Sequence, residues 1–164
     1  MSLIIGKKIN MLKLGYPTVS DKYDVAGATL TGETKVAFGA PVSWDSSTGE
    51  GAYVKAFTST DTLAGFVVAT NVKVPTTYPA EDNPVVLPGE SLNLLVKGYV
   101  AVKCNASIST ASIQPFAKLS LNAAGEVIAY SDSAAKQVNG YFTGVWEKQG
   151  SDIIAEIYVE NPVA

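Results

Sequence analysis

The sequence predicts an all-β chain: a small β-barrel or β-sandwich with an irregular N-terminal arm and a long proline-rich loop. Three observations carry that prediction. Period-two alternation of apolar and polar residues recurs along the chain, as a half-buried strand requires. Short Gly-, Asn- and Ser-containing turns separate the runs. Helix signals are weak throughout. With 164 residues, the length suits one domain that needs no disulfide or metal to fold.

The N-terminal stretch "GYPTVSDKYD", Gly15 to Asp24, has neither a period of two nor one of 3.6. Residues 1–24 are therefore expected to form an irregular segment outside the β core, and residues 25–164 a single all-β domain. "TKVAFGAPVSW" predicts a strand with an edge or bend at Gly39 and Pro41. "AYVKAFT" and "AGFVVAT" flank "STDT" and predict a hairpin. "TNVKVPTTYPAEDNPVVLPGES" holds Pro75, Pro79, Pro84 and Pro88 and predicts a long surface loop. "VKGYVAVKC" sets Val96, Gly98, Val100, Val102 and Cys104 on one face and Lys97, Tyr99, Ala101 and Lys103 on the other. "KLSLNAAGEVIAY" predicts a hairpin with its tip at Asn122–Gly125. "SDSAAKQV" fits one helical turn or a turn-rich connection equally. "YFTGVWEK" and "IIAEIYVE" predict a last hairpin through "QGSD". Trp44 and Trp146 are expected in the core, Trp146 on the face of Phe142 and Gly144.

Composition narrows the chemistry. All twelve cations are lysines, histidine is absent and the formal charge is −3. Without the arginine fork, and with net negative charge, nucleic-acid binding is not expected. One cysteine, Cys104, excludes an intrachain disulfide, and its apolar run predicts a buried, inert thiol. The usual zinc sites cannot be assembled. "MSLIIGKKIN" does not read as a signal peptide, and no apolar run approaches the roughly 20 residues that span a bilayer. No membrane partner and a cytosolic site of synthesis are expected.

Catalytic arrangements find little support. Triads lack their commonest base, although a Ser–Lys pair stays open. The carboxylate pairs Asp21/Asp24 and Glu81/Asp82 lie in turn-like polar stretches, where they cap turns or face water. "GATLTGET" has phosphate-loop glycine spacing, but Glu33 stands where a lysine is needed, so Gly27 and Gly32 read as turn residues. "EDN" at 81–83 reads as a solvated loop tip before a cation site. "NAS" at 105–107 matches a glycosylation sequon and carries nothing without secretion. No enzyme activity, cofactor, metal or small-molecule substrate is expected. Tyr99 and Tyr158 fall on the polar faces of their strands. They suit a protein interface or cross-strand packing, and the sequence leaves both open.

Read in order, "GYPTVSDKYD", "TGETKVAFGAPVSW", "LAGFVVAT", "SLNLLVKGYVAVKC" and "AKLSLNAAGEVIAY" together resemble the structural cement, or head-decoration, proteins of tailed bacteriophages. The corresponding positions are Gly15-Tyr16-Pro17 and Asp21, Phe38-Gly39 with Val42, Gly65-Phe66-Val67, Val96 to Val102, and Gly125 to Ile128. Thr18 stands where a second glycine is frequent in that family. The resemblance implies a small β protein on the outer surface of the virion head, assembled in the host cytoplasm. It implies a homotrimer that bridges major capsid protein subunits and stabilises the expanded shell. Interface candidates on this reading are Tyr16, Pro17, Asp21, Tyr23, Asp24, Tyr99 and Tyr158. The arm would lie on the capsid and order on docking. The alternative is a tail, baseplate or fibre β-module that binds carbohydrate or a receptor.

Overall fold

Eleven strands and two single-turn 3-10 helices make up the described part of the chain, and one long strand organises them. The computed structural model describes residues 12, 14–17, 24–48, 52–69 and 85–160. The strands are β1 (Asp24–Leu30), β2 (Val36–Ala37), β3 (Pro41–Trp44), β4 (Tyr53–Ala56), β5 (Leu63–Val68), β6 (Val85–Val86), β7 (Ser91–Cys104), β8 (Lys118–Leu121), β9 (Val127–Ala129), β10 (Lys136–Gln149) and β11 (Asp152–Glu160). The all-β prediction holds.

Hydrogen-bonded neighbours close into two rings that share β7. The first runs β1-β4-β3-β5-β7 and returns to β1. The second runs β7-β11-β10-β8-β9 and returns to β7 through the parallel pair Cys104↔Val127. Ring closure removes the unpaired strand edges that an open sheet exposes. Each ring has its own core. Leu30, Val42, Val54, Val67, Leu92 and Leu94 fill the first. Val100, Val102, Leu119, Leu121, Phe142 and Ile157 fill the second.

This arrangement explains why β5 is buried along its whole length. All six residues of β5 are buried. Ala64 and Val67 belong to the first core, while Leu63, Phe66 and Val68 belong to the second. A strand covered on both faces reads as a continuous apolar run.

Leu12 and residues 14–17, within the expected arm, lie against this body. Leu12 is buried with Ala101 and Ile154, and Leu14 packs beside them. The Leu12 N–H donates to Glu147 Oε1 at 3.0 Å. Gln149 Nε2 donates to the Leu12 carbonyl at 2.6 Å. Gly15 donates to the Ala101 carbonyl at 2.9 Å and accepts from the Ala69 N–H at 2.7 Å. It thereby ties the second ring to the end of β5. Its φ is +71°, and a Cβ there would stand 2.6 Å from both Gly39 N and Phe38 Cβ. No side chain fits that wedge.

Several local expectations stand. β8 and β9 form a hairpin, with the Gly125 N–H donating to the Asn122 carbonyl. β10 and β11 form the last one. Residues 131–135 are a turn rather than a helix. Cys104 is buried, and burial pushes its thiol up to about 12.

Four expectations are corrected. β4 and β5 do not pair as a hairpin, because β3 lies between them and pairs with both. Gly27 is not a turn residue; it sits inside β1 opposite Asn93, and only Gly32, at φ +82°, turns the chain. Trp44 is 37 % exposed. The β3–β5 register shifts between Val42 and Ser43, so the inward alternation ends before Trp44. Trp146 is 41 % exposed. The register of β10 against β11 shifts between Phe142 and Trp146, around Gly144 at φ +90°. β8 accompanies β10 only as far as Tyr141, so Trp146 emerges on hairpin that no further strand covers. Of the proline-rich loop, residues 70–84 lie outside the described residues.

Candidate functional site

Alternation along β7 and β11 sends Val100 and Ile157 inward and Tyr99 and Tyr158 outward. The antiparallel register then sets Tyr158 directly opposite Tyr99 on one side and Tyr141 on the other. Three tyrosines thus form a row across β7, β11 and β10. Ring centroids are 4.9 Å apart for Tyr99–Tyr158 and 5.0 Å for Tyr141–Tyr158. Those spacings fall in the range where aromatic pairs attract beyond simple burial. The cross-strand reading of Tyr99 and Tyr158 therefore applies: they pack on each other across strands, on an outward face.

The row continues beyond the strands. Phe116 lies 5.2 Å from Tyr141. It occupies a turn in which the Ala117 N–H donates to the Gln114 carbonyl at 3.0 Å. Pro115 and Phe116 are the central residues, and Phe116 has φ +65°. A type II turn needs positive φ at that third position, where glycine is favoured. Phe116 is the non-glycine with positive φ among the described residues, and it is 77 % exposed. The turn is fixed in place. The Phe116 N–H donates to the Phe142 carbonyl at 2.9 Å, and the Phe142 N–H donates to the Ala117 carbonyl at 2.8 Å. Pro115 packs on Gly144, where an added Cβ would meet the proline ring at 2.8 Å.

Charged groups border the row. Lys97 Nζ lies 3.0 Å from Glu160 Oε1, with both side chains about half exposed. The Lys97 hydrogen bond holds the Glu160 carboxyl below its usual value. Such an exposed pair adds little stability. Lys118 is the register partner of Tyr141, and its ammonium sits 5.6 Å from the Tyr130 ring centroid. Tyr130 Oη donates to Asp132 at 2.6 Å. Partial burial raises the Tyr141 hydroxyl first, with a hydrogen bond to Tyr99 next. Burial and then the Glu160 charge raise Tyr158. These hydroxyls stay protonated near neutrality, and Tyr158 Oη donates to Glu160 Oε2 at 3.4 Å.

The other sequence candidates fall near the row or outside the described residues. Pro17 bridges to Val100, next to Tyr99. Tyr16 is 42 % exposed. Asp24 opens β1, exposed, opposite Lys97. Asp21, Tyr23, Glu81 and Asp82 lie outside the described residues. Sequence reasoning missed Phe116, Tyr141 and Lys118. The parity of "GYFTG" carried a signal for Tyr141, since Phe142 is apolar and its neighbour must point the other way. Among the described residues, no group of three or more His, Cys, Asp or Glu is placed to hold a metal ion.

What this surface can do chemically is adhere: it offers rigid aromatic area with polar tips. No curated protein matches the chain. A family model does: residues 15–157 match the XM1 gp53 minor capsid protein family. That span starts at the glycine wedged between the rings and ends inside β11, so the chain belongs to this family of phage minor capsid proteins.

Proposed function

We propose that this capsid protein is a cement protein. It binds the outer surface of the expanded head as a homotrimer and bridges major capsid protein subunits. The observation that carries the reading is the outward aromatic row, Tyr99–Tyr158–Tyr141–Phe116, on a chain of a capsid family. Tyrosine and phenylalanine give large contact area for little lost side-chain freedom. Modest contacts repeated by symmetry multiply through effective concentration. Adhesion of this kind involves no turnover.

The N-terminal arm contributes to docking in this account, through Asp21, Tyr23 and the residues before Leu12. Leu12 and Gly15 belong to the body, so a truncation that tests the residues before Leu12 must stop at residue 11, and substitutions at Asp21 and Tyr23 test the rest of the arm. Heads prepared with and without the protein provide the test. Heads that carry it retain DNA to a higher temperature, and adding purified protein back restores that resistance. Equal heat resistance with and without it overturns the cement reading. A copy number far below that of the major capsid protein points to a tail or fibre module instead.

A further inference from the structure

We infer that the Pro115–Phe116 turn is the anchor of the docking surface, and that it inserts the Phe116 ring into an apolar pocket with a carboxylate at its rim on the major capsid protein. The inference deepens the cement reading and rests on it.

The backbone at Phe116 occupies a conformation, φ +65°, that glycine enters freely and a bulky residue resists. Strain of this kind persists where the surroundings over-determine it, and it clusters at binding sites. Folding does not account for the phenylalanine. Its ring is 77 % exposed and meets Tyr141 at its base. Replacing it with glycine removes the strain without opening a cavity.

The turn is already rigid. Pro115 fixes one torsion, and three backbone hydrogen bonds hold the Gln114–Ala117 segment on itself and on β10. Gly144 admits the proline ring into close contact. A rigid, exposed aromatic loses little freedom on binding, which is what makes such residues anchors. The tyrosine row behind it extends the contact with polar-tipped aromatic area.

Charge decides the occupant. The Lys97 charge is answered by Glu160. Lys118, beside Tyr141, takes part in no ion pair among the described residues, and its partner is the Tyr130 ring. A second copy docked face to face about a two-fold axis at the Phe116 turn, with Lys118 two residues away, would bring two Lys118 charges near each other, which is unfavourable. A shell subunit with a carboxylate beside its pocket answers that charge.

The test uses full-length protein and expanded heads that lack it. Phe116→Gly should keep or raise the melting temperature, because glycine suits the turn. It should bind heads roughly thirtyfold or more weakly, the loss typical of a hot-spot aromatic. Lys118→Glu should also weaken binding, more at low salt than at high. Phe116→Gly protein that binds heads like wild type overturns the anchor. A large fall in its melting temperature makes the ring structural and also overturns it. Altered oligomeric state with head binding retained would make the surface a contact between copies and reject the assigned occupant. Wild-type protein that fails to bind heads at all removes the cement reading, and the anchor with it.

Discussion

Replacing Gly15 with alanine tests whether the N-terminal segment is built into the body. Gly15 has φ +71°, and the new Cβ would stand 2.6 Å from Gly39 N and from Phe38 Cβ, and 2.9 Å from the Phe38 carbonyl carbon. Holding alanine in the left-handed region costs roughly 1–2 kcal/mol. Backbone atoms cannot swing aside, so the overlap adds roughly 1–3 kcal/mol, as overpacking does in cores. Gly32 supplies the control. Its φ is +82°, but a Cβ added there would meet nothing within 4 Å, so only the torsional penalty applies. Gly15→Ala should therefore exceed Gly32→Ala by about 1–3 kcal/mol. For a chain of this size that difference is about 2–12 °C in melting temperature. Urea titration followed by tryptophan fluorescence, and thermal melts, both read it. Equal penalties at the two positions would refute the claim that Gly15 is wedged between the rings.

Other predictions concern a thiol, a carboxylate and a core ring. Cys104 is fully buried, with its thiol pushed up to about 12 by burial, so a thiol reagent should modify it only at the rate of opening or unfolding; rapid native-state labelling would contradict the placement. Asp45 is held at about 2, from an ordinary 3.8, chiefly by the Ser47 hydroxyl and next by the Thr31 hydroxyl. Its folded value is depressed, so its contribution is present above pH 3.8 and lost as pH falls toward 2. Between about pH 4 and pH 2, Asp45→Asn should lose less stability than wild type in urea titrations; an identical acid loss would exclude that role. Phe142, fully buried in the second core, should cost about 3–5 kcal/mol when replaced by alanine; a loss under about 1 kcal/mol would show that this core does not hold the ring together.

Local pattern carried much of the fold. Alternation from Val96 to Cys104 and from Ile153 to Val159 marked β7 and β11, because one face of each strand meets the second core. Short turns such as Asn122–Gly125 marked hairpins, because a tight turn fixes its own pairing. The insertion of β3 between β4 and β5 was not legible, since a non-local pairing leaves no local trace. Bulges hid the tryptophans: alternation predicts a face only while the register is unbroken. At the candidate site, parity showed that Tyr99 and Tyr158 point outward. Adding Tyr141 to the row required the register of β10 across its irregularity. Phe116 carried no signal, because its importance lies in a torsion angle that the letters "QPFA" do not display.

The central claim is adhesion to the phage head, and difference imaging tests it most directly. Cryo-electron microscopy of heads with the protein present, minus heads without it, should show β-rich density on the outer surface at symmetry positions, with the Phe116 turn facing the shell. Density confined to the tail, or no density on the head, would contradict the account.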